Sequence, residues 1–507
     1  MIDFRLEQRI CLLLTICFIL FEYIPISIPL IGNQLFPVFL IIGYVLFMFE
    51  IFLNNYNLKK WEVCGFCFLI TFTSWNIISN VIGVLDYPFW EYIDLTQMDT
   101  FKNLYDNIYS IFPIEDLVAM KGWLLFKAVR YALSGCLFSY TISLWIYHIY
   151  RDNWKRAFED LRKATIILCS ILCLYSVFEI DYLTGGTIGK AVLKTLTPLY
   201  LKIETIHGWW PPLLWNGQLR SLFAEPSFFG IYTAMAIPIV SSYFFEKEYG
   251  RESIAGMVIY FVLIIMLTLS KARTATVLFS GELFLLVLYV VIFKRELFKR
   301  LLILLVCSGF AFSCGLYIMS QFKNQEGNIT STISVESYVT QNIASITGDK
   351  RSNSARFANV RATVLTGLQH PLFGVGHGLK DMYIDNNLSV EDKKVGEVKK
   401  WSKYMYEKGP LKSSYPPLNQ LAGVLVESGM IGLFLFLLPI LGVLYIWFRY
   451  LFLFEDVKAS CLLISFLGLC GAFFSHVATI EFYILIGFMM VALKNIVEDK
   501  NEQSNDK

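Results

Sequence analysis

RSLFAEPSFFGIYTAMAIPIVSSYFF, residues Arg220–Phe245, carries an arginine and a glutamate five positions apart and then a long run with no charge. A run of that length crosses a bilayer core of ~30 Å as a helix. Helix is the expected form because lipid offers no partner to an open backbone. Similar runs recur from the first to the last quarter of the chain. The 507 residues are 56% hydrophobic, with a mean hydropathy of +0.55, more apolar than soluble domains. The fold class is therefore an all-α polytopic membrane protein.

About twelve such spans are expected along the chain. Before Arg220 lie Ile10–Leu30, Gln34–Leu53, Glu62–Leu85, Gly122–Tyr150 and Ala164–Leu183. The stretch itself gives Ser221–Phe245. After it come Ile254–Ser270, Thr274–Phe293, Leu301–Ser320, Pro417–Phe448, Ala459–Ser475 and Ile480–Ile496. The first residues, MIDFRLEQR, precede an apolar run with no small-residue cleavage site, so the first span reads as retained.

Short-loop Lys and Arg set the orientation. Lys59-Lys60, Arg151–Lys163, Glu246–Glu252, Lys294–Arg300 and Arg449 alternate consistently if they face the cytoplasm, with both termini inside. Asp86–Lys121, Thr184–Arg220 and Gln321–Tyr415 then lie outside. The chain divides into spans one to nine (1–320), a large extracytoplasmic loop (321–415), and spans ten to twelve with a cytoplasmic tail (416–507). The expected location is the plasma (inner) membrane.

Other classes are poorly supported. A net charge of +2 gives no electrostatic case for nucleic acid. The eleven cysteines all sit in apolar runs, so no disulfide framework is indicated. Cys64 and Cys67 have CxxC spacing inside such a run and read as helix packing.

One short link breaks the charge rule. TLSKARTATV, Thr268–Val277, puts Lys271 and Arg273 on the outer side. Snorkelling accounts for Lys271. A membrane-lip arginine with no adjacent acid is costly and marks Arg273 as a site residue. In HGWWPPLLWNGQ, the tryptophans Trp209, Trp210 and Trp215 suit an interfacial belt, and His207 an interfacial polar residue.

A structureless loop as long as 321–415 would be unusual, so it is expected to be a small folded unit or a lid. Within it, Ala355, Val360, Ala362, Val364, Leu365 and Leu368 fit one helical face, with Arg356 and Arg361 on the same helix. His370-Pro371 stops that helix. Gly374, Gly376 and Gly378 follow as a turn whose N–H groups suit an anion. Glu391–Gly409 reads as a solvated amphipathic helix. Next, Asn419 and Glu427 head span ten, where Gly423, Gly429 and Gly432 permit close helix approach.

These pieces resemble the O-antigen polymerase and ligase superfamily of Wzy-type polymerases and WaaL-type ligases. RSLFAEPSFFG is similar to the family's G/R-x-F-x-E-P-S entrance to a central helix. LTLSKARTA is similar to its L-x-x-S-x-[SG]-R-[TG]-A pattern. HPLFGVGHG resembles its hPl-fGvG-G signature, the late external loop is shared, and Asn419 to Gly432 follow N-x(7)-E-x-G-x-x-G. The resemblance covers Arg220 to Gly432, about half the chain, in the family's order.

The resemblance implies a glycosyltransferase acting on undecaprenyl-pyrophosphate-linked oligosaccharides at the outer membrane face. Polymerases join repeat units into O-antigen, capsule or exopolysaccharide; ligases move the finished chain to lipid A-core. Many ligases carry a histidine just before the helix of Asn419. Here the text is SSYPPLNQ, which favours the polymerase. Expected partners are the lipid-linked oligosaccharide and the bilayer, with a flippase and a chain-length regulator as further candidates.

Such chemistry needs cations for a lipid-pyrophosphate leaving group, and arginine suits that task. Arg220, Arg273, Arg356 and Arg361 are expected on one external surface. A base must take the acceptor hydroxyl proton. Glu225 is the first choice, because burial would raise its pKa; His370 is the second. His377 and Asn419 are expected to contact substrate. No acidic metal cluster stands in the outer segments, so no metal or other cofactor is expected. The competing account of Arg220 and Glu225 is an ion pair that only packs helices. His148 and His476 are expected to pack helices. Twelve spans also suit a transporter of lipid-linked oligosaccharides, but the two halves show no matching repeat. A structural partner of a polysaccharide machine would not need outward arginines.

Overall fold

The computed structural model describes residues 4–21, 34–53, 59–109, 113–201, 217–323 and 351–505. Among these, the regular elements are all helices. α1 (Arg5–Phe18), α2 (Phe36–Leu53) and α3 (Lys60–Leu85) open the bundle, and α4 (Asp99–Tyr109) lies in the link that follows. Next are α5 (Asp116–Leu137), α6 (Tyr140–Tyr150), α7 (Trp154–Leu183) and α8 (Thr187–Tyr200). The middle of the chain forms α9 (Pro226–Ser241), α10 (Arg251–Ser270), α11 (Arg273–Phe293) and α12 (Phe298–Ser320). The late loop holds α13 (Arg351–Gln369), α14 (Lys380–Asn387) and α15 (Gly396–Lys408). The chain closes with α16 (Gln420–Arg449), α17 (Val457–Ala472) and α18 (Ile480–Asn505).

Ten segments among the described residues are long and apolar enough to cross a membrane. Two of the twelve expected spans fall outside that set. The first runs beyond the described residues, which give only α1, and the eleventh is the 16-residue α17. The fourth expected span is two helices. Phe138 and Ser139 leave helical geometry between α5 and α6, where Ser139 Oγ donates to Cys136 O at 3.3 Å. A serine that bonds a nearby carbonyl competes with the helix ladder.

α9 is the centre of the bundle. It packs against α7, α10, α11 and α17. Of its apolar window 94% is buried, against 28–61% in the other spans. Pro226 at its first turn suits a helix start, where a missing N–H costs nothing. Helices α9 and α11 approach closely, because Gly230 faces Ala275 and any side chain there would collide with it.

α16 is interrupted at Gly429, whose φ of 69° and ψ of −171° leave the helix. The break is filled from the late loop. Val375 N–H donates to Val426 O at 2.8 Å, Gly376 N–H to Glu427 O at 3.1 Å, and Met430 N–H to Pro371 O at 2.7 Å. Trp75 Nε1 adds a bond to Ser428 O at 3.0 Å. This changes the reading of the glycine-rich turn. Its Val375 and Gly376 N–H groups satisfy carbonyls freed by the broken helix, and His377 N–H donates to Asn80 Oδ1 at 2.8 Å. These donors are spent on the fold and do not form an anion cradle.

The described part of the late loop has its own apolar cluster, in which Ala355, Ala358, Met382, Ile384, Val398, Met405 and Tyr415 are buried. Asp385 crosses that cluster, accepting from Ser402 at 2.7 Å and Tyr415 at 2.6 Å and pairing with Lys393 at 2.8 Å. The helix expected at Ala355–Leu368 is present as α13, but its buried face differs. Ala355, Ala358, Ala362 and Thr366 are buried, and Leu365 and Leu368 are exposed. Small residues let α13 lie along α16, where Gly367 meets Leu425. The late loop also clasps the link after α3: Lys412 pairs with Asp99 at 2.9 Å, and Leu411 N–H donates to Gln97 Oε1 at 3.3 Å. His207, Trp209, Trp210, Trp215 and the polar stretch 324–350 lie outside the described residues.

Candidate active site

The site forms where α9, α11, α16 and α18 begin. α9 and α11 start side by side, and neither N-cap residue, Glu225 or Ala272, closes its helix with a side-chain hydrogen bond. Two helix N-termini thus present positive ends together, which favours an anion.

Arg273 is the first residue of α11, and its Nη1 donates to Asn353 Oδ1 at 3.1 Å. Asn353 is buried on α13, so the bond ties the late loop to the bundle at the arginine. One turn along α13, Arg356 reaches the same place. It keeps solvent access but stands in a recess. Desolvation, then the neighbouring Arg273, lowers its pKa, while Glu225 and Glu397 oppose that shift. Glu225 is half-buried, and its carboxylate accepts from Ser227 Oγ at 3.2 Å. Arg273, Arg356 and Glu225 therefore share one solvent-reachable recess with an excess of positive charge.

His476 joins them. It lies on the link between α17 and α18, with Nδ1 2.9 Å from Ser475 Oγ and its ring 5.7 Å from that of Phe228 on α9. Burial, then Arg356, pushes its pKa down to about 4, so the ring is neutral at pH 7. The link is held at the head of α16, where Gln420 N–H donates to Phe473 O at 2.9 Å and Ala478 N–H to Gln420 Oε1 at 2.8 Å. Its place here differs from the helix-packing role expected from the sequence. Its one signal was position, a histidine in a polar link between two apolar runs.

Several expected site residues stand elsewhere. Arg220 is 3% exposed and its Nη1 donates to Phe223 O at 2.9 Å. Its backbone N–H and that of Ser221 donate to the buried carboxylate of Glu179, at 3.2 and 2.8 Å. That cation is used inside the fold. Arg361 has a side chain 56% exposed, pairs with Asp392 and donates to Ser389 Oγ at 3.2 Å, within the late loop. His370 ends α13, fourteen residues from Arg356 and so about 21 Å along the axis at ~1.5 Å per residue; its ring packs at 5.0 Å from that of Tyr383. Asn419 is the N-cap of α16, with its side-chain oxygen accepting from Ala422 N–H at 2.9 Å.

His377 belongs to a second cluster. Its Nδ1 is 2.9 Å from Glu427, Lys380 pairs with the same carboxylate at 3.2 Å, and Tyr131 stacks on the ring at 3.3 Å. These charges compensate one another beside the break in α16. His148, by contrast, packs helices as expected. It is fully buried, 2.9 Å from Glu62 and 3.6 Å from Glu50.

Fold and recess together define a multi-pass helical membrane protein with a cationic pocket at one end of its bundle. Residues 258–437, about a third of the chain, match the family model described as O-antigen ligase (Wzy_C), and this supports its place in the O-antigen polymerase and ligase superfamily. The matched region includes Arg273, Arg356, Asn419 and Glu427, while Glu225 and His476 lie outside it. No curated protein matches the chain.

Proposed function

We propose that the protein is a membrane glycosyltransferase that polymerises undecaprenyl-pyrophosphate-linked repeat units at the outer face of the plasma membrane, with both termini cytoplasmic. The observation that carries this reading is the recess itself: Arg273 and Arg356 stand with Glu225 at two uncapped helix N-termini. An acceptor hydroxyl gives its proton to a base. Its oxygen attacks the anomeric carbon of the donor sugar, and the bond from that carbon to the diphosphate oxygen breaks. The electron pair leaves on the diphosphate, where the arginines neutralise it. Preorganised cations aimed at developing charge are worth several kcal/mol to such a step.

Glu225 is the first candidate base, held between Ser227 and Arg356. A second reading gives that role to His476, favoured by its neutral ring in the same recess. Neither base changes the part played by the arginines. The ligase reading draws on the description of the matching family model; Leu418 stands before Asn419, where many ligases have histidine. Purified protein in nanodiscs, given lipid-linked repeat units, separates the two. A ladder of lipid-linked chains is the polymerase result. Transfer only after lipid A-core is added is the ligase result.

A further inference from the structure

Glu282 stands nine residues beyond Arg273 in α11, ~14 Å along the axis at ~1.5 Å per residue, and so near the middle of a bilayer core of ~30 Å. It is 3% exposed, and no described group gives a hydrogen bond to either carboxylate oxygen. α9, α11 and α17 pack against one another around it, and all three are described over their whole length. A bare carboxylate is costly in such a place, and an ionisable residue kept inside a membrane marks a function. The glycosyl transfer proposed above makes no use of it.

Gly468 on α17 leaves room for the carboxyl. A Cβ there would collide with Glu282 Oε1 and come 3.3 Å from Ala234 O on α9, so the acid and that carbonyl border one gap. Ala234 lies four residues before Pro238, which is inside α9. Proline has no N–H, so the helix ladder brings Ala234 O no donor from that position. The next carbonyl, Met235 O, takes the hydroxyl of Ser465 on α17 at 2.9 Å. The charged side chains of the surrounding helices stand at or next to helix ends: Arg251, Glu252 and Lys271 on α10, Lys299 and Arg300 on α12, and Lys458 on α17, while α9 carries none. Arg295, Glu296 and Glu455 lie in the turns at the far end of α11. Of the titratable groups, Tyr260 on α10 is within electrostatic reach of Glu282, and its hydroxyl meets Ser308 Oγ at 2.8 Å.

We propose that Glu282 is a proton-binding site in the core of the bundle, where the neutral carboxylic acid donates its O–H to Ala234 O and joins α11 to α9. A protonated carboxyl supplies the donor that a carboxylate lacks, and it meets the acceptor that Pro238 frees. One proton thus satisfies two buried groups. Its loss would set a bare carboxylate against a carbonyl oxygen, and the two repel. α9 and α11 would then separate or take water between them. These are the helices whose starts carry Glu225 and Arg273, so the proton also holds two sides of the recess together. The proposal does not depend on the glycosyltransferase reading.

Infrared spectra of the full-length protein in phosphatidylcholine nanodiscs provide the test, with melting temperatures beside them. Glu282→Gln keeps the shape and an N–H donor but cannot ionise. At about pH 8 an ordinary glutamate is a carboxylate, so the wild-type-minus-variant spectrum is expected to show a carboxylic-acid C=O band. A carboxylate band in its place overturns the proposal. The melting temperature of Glu282→Gln is expected to rise relative to wild type from about pH 5 to about pH 8, because the unfolded wild-type chain gives up a proton that the fold keeps. A difference that does not change with pH overturns the proposal as well. Pro238→Ala leaves the acid in place and returns an N–H to Ala234 O. Its acid band is expected at higher frequency, since the O–H then shares its acceptor; a band at the wild-type position overturns the pairing with Ala234. This second variant reads the site even where Glu282→Gln does not fold.

Discussion

The four arginines carry one formal charge each, and their surroundings divide them. Arg273 and Arg356 sit in the recess, so substitution there should act on turnover. Arg273→Lys or Arg356→Lys is expected to lower the rate about a hundredfold with protein levels intact, because lysine cannot reproduce a bidentate grip on phosphate. Unchanged turnover in either variant removes that arginine from the site. Arg220 is buried beside Glu179, and Arg361 makes an exposed pair with Asp392. Arg220→Met should cost about 3 kcal/mol of stability by leaving a buried carboxylate unmatched, whereas Arg361→Met should cost under about 1 kcal/mol. Thermal unfolding in detergent compares them directly. His476 makes a pH prediction. Its pKa in the fold is about 4, below the ~6.5 of an unfolded histidine. Between those values the unfolded chain binds a proton that the fold refuses, so His476 makes stability fall as pH drops through that window. In His476→Gln the acid loss over pH 6.5 to 4 should be smaller; an identical loss removes His476 as its source. Residue type alone showed which side chains could hold a phosphate. It could not show that Arg220 turns inward, because Glu179 lies on a different helix.

Helices were legible where apolar runs are long, and less so where the chain departs from them. The α5–α6 break depends on one serine bonding backward. The break in α16 depends on Gly429, and its partner is the segment after His370, more than fifty positions earlier in the chain. Read alone, Gly374 to Gly378 look like a loop built to bind something. With the broken helix beside it, the same turn completes backbone hydrogen bonds. Gly429→Ala should therefore destabilise the protein by about 2 kcal/mol or more, through positive φ and a clash with Leu372 O. A melting temperature equal to wild type would contradict the clasp. α13 makes the same point about faces. Its leucines fit an apolar stripe, but Ala355, Ala358 and Ala362 are what α16 and the loop helices cover. Periodicity reports which residues are apolar, not which side finds a neighbour.

At the scale of the whole molecule, hydropathy makes the fold class plain because each span must satisfy its own backbone. Assembly of the recess was not legible in that way. Charge and topology put Arg273, Arg356 and Glu225 on one outer surface, but they could not bring His476 on the α17–α18 link to them, nor send Arg220 and Arg361 elsewhere. Such a divided site predicts that catalysis depends on the late loop being docked, as the Arg273–Asn353 bond requires. The proposed function stands or falls on whether this recess transfers glycans from a lipid diphosphate. The most direct measurement gives lipid-linked repeat units to wild-type and Arg356→Lys protein in nanodiscs and resolves the products on a gel. The expected result is a ladder from the wild type and little or none from the variant. Equal ladders would contradict the site, and no transfer by the wild type, with or without lipid A-core, would contradict the function.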